Sequence, residues 1–350
     1  MVWVRILGQL RVFSARVYLG PYLAFRCSEK SRHHVLYADQ AMFLSAARRL
    51  AQPRVSPLTA RVLSTSVPKN TVRLQSTAVA DHDEEAEWER AWLEATEEVY
   101  DSSRSFQDSA AGLRALVRTG LLTHTDLRDN PERFFKAHRL LARHAVKHGP
   151  GFWIRFTVHY NLCFGTVLAV GTPEQVESMS TVQAHGLLGC FALTEKLAGV
   201  QSGLIVQTKA EYDPSSETFK LTNIGSTEGA YKNWISQGFV ADKAVVLADL
   251  TVAGERKGPH AFLMDMRKDG KLEPGVSTGD MGIKTVGNDL DNAWIAFDDV
   301  KLPRSALLSR YADVSAEGDY SQTNSQIKPF EMIGQRLYTG RVAVAQAALS

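Results

Sequence analysis

The chain has 350 residues, 44% of them hydrophobic and 22% charged, with a formal net charge of +2, which is the composition of an ordinary globular protein long enough for two domains. It holds no run of eighteen apolar residues, so no span of a bilayer is expected. Its three cysteines, Cys27, Cys163 and Cys190, are too few and too scattered for a disulfide scaffold and fit a reducing compartment.

The charge is unevenly spread. Residues 1–80 carry 12 Lys or Arg against 2 acidic residues, and the remainder carries 28 against 36. A mildly acidic body behind a basic arm argues against nucleic-acid binding, which needs a basic face on the folded domain. From Met42 to Ala80 there is no Asp or Glu, and Arg, Ser and Thr are abundant. That is the composition of a mitochondrial transit peptide, with a disordered basic linker as the plainer alternative. Residues 1–83 are therefore expected to be a targeting or disordered segment outside the fold.

Residues 84–184 read as a helical domain. "EEAEWERAWLEATEEVY" is built from strong helix formers with acidic side chains in its first turn. "NPERFFKAHRLLARHAVKHG" offers Asn130 as a cap, Pro131 at the first helical position, and basic residues before Gly149 at its end. "GTPEQVESMSTVQAHG" repeats the plan with Thr172 and Pro173. From about Leu187 the period changes to two. "GLIVQTKAEYDPSSETFKLTNIGS" alternates, turns at Asp213–Ser216 and alternates again, as a hairpin does. "KAVVLADL", "HAFLMDM" and "NAWIAFDDVKL" read as further strands. Strands that follow one another without helices predict an antiparallel sheet or small barrel over 185–303. Residues 304–326 are expected as a linker. Helical pattern returns over 327–350, where an uncapped apolar end at Ser350 suggests a chain cut short.

Several familiar sites are missing. There is neither a Gly-x-Gly-x-x-Gly after a strand nor a P-loop, and Ser202 of "GVQSG" is misplaced for a nucleophile elbow. His144 and His148 share a helix face but have no third ligand, so a solvated helix end is expected and no metal. Cys190 lies in an apolar run and is expected to be a buried small hydrophobe. Two stretches remain. "GCFALTEKLAG" puts Thr194 and Glu195 straight after a strand, and "KNWIS" puts Trp234 and Ser236 at the lip of another. An indole suits the flat, apolar ring of a flavin, and hydroxyls suit its polar edge. A tryptophan at a strand start also serves as plain core.

Taken together, "CFALTE" and "KNWIS" resemble the flavin-contacting segments of the acyl-CoA dehydrogenase and oxidase superfamily. Within residues 277–320, Gly279–Lys284, Asp291-Asn292, Pro303-Arg304 and Arg310–Tyr320 resemble, in order and spacing, acyl-CoA oxidases of the peroxisomal type. The resemblance implies an α+β fold with an N-terminal helical domain, a middle antiparallel β-barrel and the start of a C-terminal helical bundle. It implies FAD as cofactor, with Thr194 bonding the flavin ring, Trp234 packing on it, Ser236 approaching its reactive nitrogen, and Ser202 near the pyrophosphate. It implies acyl-CoA as substrate, dioxygen as oxidant, a homodimer, and conversion of acyl-CoA to trans-2-enoyl-CoA with hydrogen peroxide in fatty acid β-oxidation. The family's catalytic Glu falls beyond Ser350, so no residue here is expected as the base, Glu195 included. Ser236 stands where many oxidases have Gly, which keeps open a mitochondrial dehydrogenase using an electron-transfer flavoprotein. A non-catalytic subunit pairing with a complete homologue is the third alternative. The family implies the peroxisome; the arm at 42–80 implies the mitochondrial matrix.

Overall fold

A computed structural model describes residues 83–97, 105–148, 150–198, 201, 206–224, 231–324 and 329–349, with backbone only over 144–148 and at 329. Ser202, Gly149, the side chains of His144 and His148 and the whole arm 42–80 lie outside the described residues. The described residues fall within a single unit, Asn70–Ser350.

The helical layer begins with α1 (83–97). Its Trp88 and Trp92 lie four apart, so they share a face and stack with ring centroids 5.4 Å apart. Trp92 is fully buried, and the Trp88 indole N–H donates to the carbonyl of Leu121 at 2.6 Å. Next comes α2 (Phe106–Arg118), which opens with a capping box between Ser105 and Asp108. A single turn, α3 (Asp126–Asp129), precedes α4 (Pro131–His148). Asn130 caps α4 as the sequence suggests: its Oδ1 accepts from Arg133 N at 3.2 Å. Helix α5 (Pro150–Thr157) runs into a π-helical stretch, Val158–Phe164, and on into α6 (Gly165–Val170). Thr172 and Gln175 then form the expected box at the start of α7 (Pro173–Ala184). Gln175 also donates to the carbonyls of Ser305 and Leu307, fastening the helices to the sheet region.

The strands are β1 (Gly189–Ala192), β2 (Lys209–Asp213), β3 (Thr218–Thr222), β4 (Lys232–Ser236), β5 (Lys243–Val252), β6 (Glu255–Asp265), β7 (Arg267–Lys268), β8 (Lys271–Leu272), β9 (Val276–Asp280), β10 (Asn292–Phe297), β11 (Val300–Pro303), β12 (Ala312–Val314) and β13 (Tyr320–Gln322). The larger sheet runs β1-β5-β2-β3-β11, with β6 on the other edge of β5; a second sheet runs β4-β10-β9. Strands β2 and β3 form the expected hairpin, closing at Asp213 opposite Thr218.

The sheet is not purely antiparallel, however. Both β1 and β2 lie parallel to β5, with Gly189 opposite Lys243 and Lys209 opposite Asp249. Because β4 departs to the second sheet, β1 and β2 are not tied to β5 by tight turns, and parallel pairing becomes open to them. Strand β5 is covered on both faces. Val245 and Leu247 join the core of the helices, while Ala244, Val246, Ala248 and Leu250 join the core between the sheets. This explains its nearly unbroken apolar sequence. Cys190 sits in the second of these cores as a buried small residue. The segment expected as a linker carries a 3₁₀ turn (Arg304–Ala306) and the β12–β13 hairpin. Helix α8 (Pro329–Ala348) follows, and Asn161 of the π-helical stretch donates to its Arg336 carbonyl at 3.1 Å. Among the described residues no helix is long and apolar enough to cross a membrane.

Candidate functional site

The two stretches singled out in the sequence come together. Beyond the end of β1 the chain runs alongside β4. Asn233 N donates to the Thr194 carbonyl at 2.9 Å, Lys196 N donates to the Tyr231 carbonyl at 3.0 Å, and Glu195 bridges antiparallel to Lys232. Thr194 is thus one hydrogen bond away from the residue before Trp234. Both Thr194 and Ser236 are half-buried.

A buried ion pair locks this junction. Lys232 and Glu195 are 0% and 1% exposed, and Lys232 Nζ lies 2.8 Å from Glu195 Oε1. The same ammonium donates to the carbonyls of Leu247 (2.7 Å) and Leu193 (3.3 Å). The Glu195 carboxylate accepts from Gln207 N, Thr208 N and the Thr208 hydroxyl at 2.7, 3.0 and 2.8 Å. Burial pulls the Lys232 amine down to about 8, against the opposing pull of Glu195. With its oxygens engaged in this way Glu195 is a clasp and is not free to act as a base.

Trp234 owes its exposure to a break in the strand. Strand β10 pairs Ala293 with Ile235 and then Ile295 with Lys232, so Asn233 and Trp234 together oppose the single residue Trp294. Such a bulge re-aims a side chain. At the bulge Trp234 has φ +57°, in the left-handed region, and Gln237 follows at +66°. A bulky residue there costs about 1–2 kcal/mol, and strain of this kind concentrates at functional positions. The Trp234 side chain is 52% exposed, an indole standing at the site's surface where a strand without the bulge would turn it elsewhere. Next to it Trp294, stacked with Tyr231 at 6.1 Å, covers Gly279 so closely that a Cβ there would lie 2.5 Å from the indole nitrogen.

A second buried network supports the far end of β4. Arg155, with a fully buried side chain, lies 2.9 Å from Asp291 and donates to Ser109 Oγ, to Gln237 Oε1 and to the carbonyls of Phe106 and Asp289. Gln237 donates in turn to the Gly189 carbonyl at 2.7 Å. Asp289 caps α5 from outside, accepting from Gly151 N and Phe152 N at 3.2 and 2.7 Å. Gly151 is required there, since a Cβ would meet the Asp289 carboxylate at 2.3 Å. Asn292 donates to Ser236 Oγ at 3.1 Å and more weakly to the Trp234 carbonyl at 3.4 Å.

Of the predicted site residues, Thr194, Trp234 and Ser236 are brought onto one paired edge; Ser202 lies outside the described residues. Asp291 and Asn292 entered the sequence reading only as part of a motif. Lys232 and Arg155 were not singled out; Arg155 lies in the apolar stretch "GFWIRF", which was a signal for it, whereas Lys232 lies among polar neighbours that gave none. A separate cleft of about 770 Å³ is lined by Lys243, Met264, Lys268, Asp298 and Lys301 among others, and by none of the predicted site residues.

No protein-family model matches the chain. By sequence it is similar to human peroxisomal acyl-coenzyme A oxidase 3, 35% identical over 202 residues, covering 54% of this chain and 28% of that protein. It is 32% identical over 250 residues to Arabidopsis thaliana peroxisomal acyl-coenzyme A oxidase 2, covering 68% of this chain and 35% of the relative. Among solved structures, acyl-CoA oxidase 1 of Yarrowia lipolytica aligns with TM-score 0.57 at 28% identity, over 71% of this chain and 35% of its own. A Caenorhabditis elegans acyl-CoA oxidase-2 solved with FAD, ascaroside-CoA and ATP shares the fold at 24% identity and TM-score 0.54. The chain spans about a third of the length of the relatives it matches. In sequence and in fold it is a relative of the acyl-CoA oxidases, with the acyl-CoA dehydrogenase-like arrangement of helices and curled sheet.

Proposed function

We propose that this chain supplies the flavin-facing part of an FAD-dependent acyl-CoA oxidase of fatty acid β-oxidation. The observation that carries this reading is the junction of Thr194 with β4, which puts an exposed indole and two half-buried hydroxyls on one edge. These residues fit a flavin: Trp234 offers an apolar face to a flat ring, while Ser236 and Thr194 offer hydrogen bonds to its polar rim. When bound, FAD would accept the β-hydrogen of the acyl-CoA as hydride. The protein's own part is to hold the ring against Trp234, to orient its edge with the two hydroxyls, and to keep both strand mouths rigid through Lys232 and Glu195. No residue of this chain is assigned as the base that removes the α-proton.

The substrate class is an acyl-CoA thioester, the oxidant dioxygen and the functional unit a homodimer, as the family resemblance implies. The peroxisome is the compartment, supported by the names of several relatives; the mitochondrial expectation rests on residues 42–80, outside the described structure. Two measurements test the reading. The chain is expected to bind FAD, quenching its fluorescence, and to lose most of that affinity in Trp234→Ala. The complete protein is expected to release hydrogen peroxide from acyl-CoA in air. Unchanged FAD affinity in the variant counts against the site; turnover with dyes but no peroxide points to a dehydrogenase.

A further inference from the structure

The direction of the Ser236 hydroxyl is set by the protein. In the antiparallel register Ser236 lies directly opposite Asn292. The side-chain nitrogen of Asn292 contacts both Ser236 Oγ and the Trp234 carbonyl. A carbonyl oxygen only accepts, so the end of the amide facing these two atoms is its NH₂ group, and Ser236 Oγ must be an acceptor in this contact. A hydroxyl carries a single proton and two lone pairs. With one lone pair taken by Asn292, its proton is left for another partner, and no protein acceptor for it is found among the described residues. Asn292 itself is firmly held: it is buried, its carbonyl accepts from Met281 N at 2.7 Å, and the adjacent Asp291 carboxylate accepts from Phe239 N at 2.8 Å.

We propose that Asn292 is the positioning residue that turns the Ser236 hydroxyl into an outward hydrogen-bond donor, committing the site to a ligand that presents an acceptor atom at that point. On the flavin reading, on which this rests, the acceptor is an unprotonated ring nitrogen or a ring carbonyl oxygen at the edge of oxidised FAD. Asn292 acts through Ser236 and does not itself meet the ligand.

A double-mutant cycle on the full chain tests this, with FAD as probe and fluorescence quenching as readout. Thermal unfolding is followed alongside, so that lost stability is not mistaken for lost affinity. Ser236→Ala is expected to weaken FAD binding roughly 3- to 10-fold, the worth of one hydrogen bond. Asn292→Leu, which cannot donate, is expected to weaken it by a similar factor. In the Ser236→Ala background Asn292→Leu is expected to add nothing further, because its only route to the ligand is already gone. Should the leucine variant fail to fold, the smaller Asn292→Ala, which also cannot donate and adds no charge, gives the same cycle. A wild-type chain that binds FAD, with losses that multiply in the double variant, overturns this proposal and leaves the flavin reading standing. An Asn292 variant that binds FAD as wild type does has the same consequence. A wild-type chain that binds no FAD overturns both.

Discussion

Replacing Lys232 with methionine removes the cation of the buried pair while roughly conserving side-chain volume. Three acceptors lose their shared donor: Glu195 Oε1 and the carbonyls of Leu193 and Leu247. Breaking one partner out of a buried ion pair costs about 3–5 kcal/mol. Glu195 keeps its bonds from Gln207 N, Thr208 N and the Thr208 hydroxyl, so the lower end, about 3 kcal/mol, is expected here. Adding Glu195→Gln to Lys232→Met removes the stranded charge, and the double variant should be less destabilised than the two single losses combined, by about 1–3 kcal/mol. The pH dependence is a further check. The Lys232 amine sits at about 8 in the folded chain, below its ordinary 10.5. Between those values the unfolded chain holds the extra proton, so the stability of wild type relative to Lys232→Met should rise as pH climbs through that window, by up to about 3 kcal/mol. Urea unfolding followed by far-UV circular dichroism, repeated from pH 7 to 10.5, measures all three quantities. A loss below about 1 kcal/mol or strictly additive single effects would refute the clasp, and a relative stability that falls with pH would refute the dominance of burial over the pull of Glu195 at Lys232.

The left-handed backbone at Trp234 predicts a reversal of the usual order of residues in a strand. Trp234→Gly should be more stable than Trp234→Ala by about 1 kcal/mol in denaturant titrations, where glycine is ordinarily the weaker of the two; an alanine variant equal or better would remove the argument from strain. Cys163 and Cys190 are buried, and burial pushes the Cys163 thiol up to about 12 and the Cys190 thiol well above its ordinary value. Neither should be alkylated in the folded chain at pH 8, and both should react once it is unfolded, as peptide mass spectrometry would report; rapid native labelling of either would show that the packing between the π-helical stretch, β1 and β5 is looser than described.

Short-range signals in the sequence carried over into the structure. The caps at Asn130 and Thr172 depend on residues three positions away, and each is present as written. The turn after Asp213 and the alternation of β2 and β3 depend on immediate neighbours and on a period of two, and the hairpin closes there. "KNWIS" and the stretch after β1 were recognisable because their residue types and order are themselves the pattern. What remained hidden depends on partners far along the chain. Lys232 meets Glu195 across 37 positions, and Arg155 meets the Asp289 carbonyl across 134; in isolation each is one more charged residue in a strand or helix. The parallel placement of β1 and β2 on β5 and the doubling of Asn233 and Trp234 against Trp294 are matters of register. Register is chosen by which faces a neighbouring strand and the two cores can bury, so it belongs to the assembled sheet. The sequence by itself thus determined most of the elements that form and which side chains are candidates for the chemistry. Only the tertiary structure decided that an indole, two hydroxyls and a buried ion pair share one edge, because long-range burial alone can hold a charged lysine and a strained tryptophan in those places.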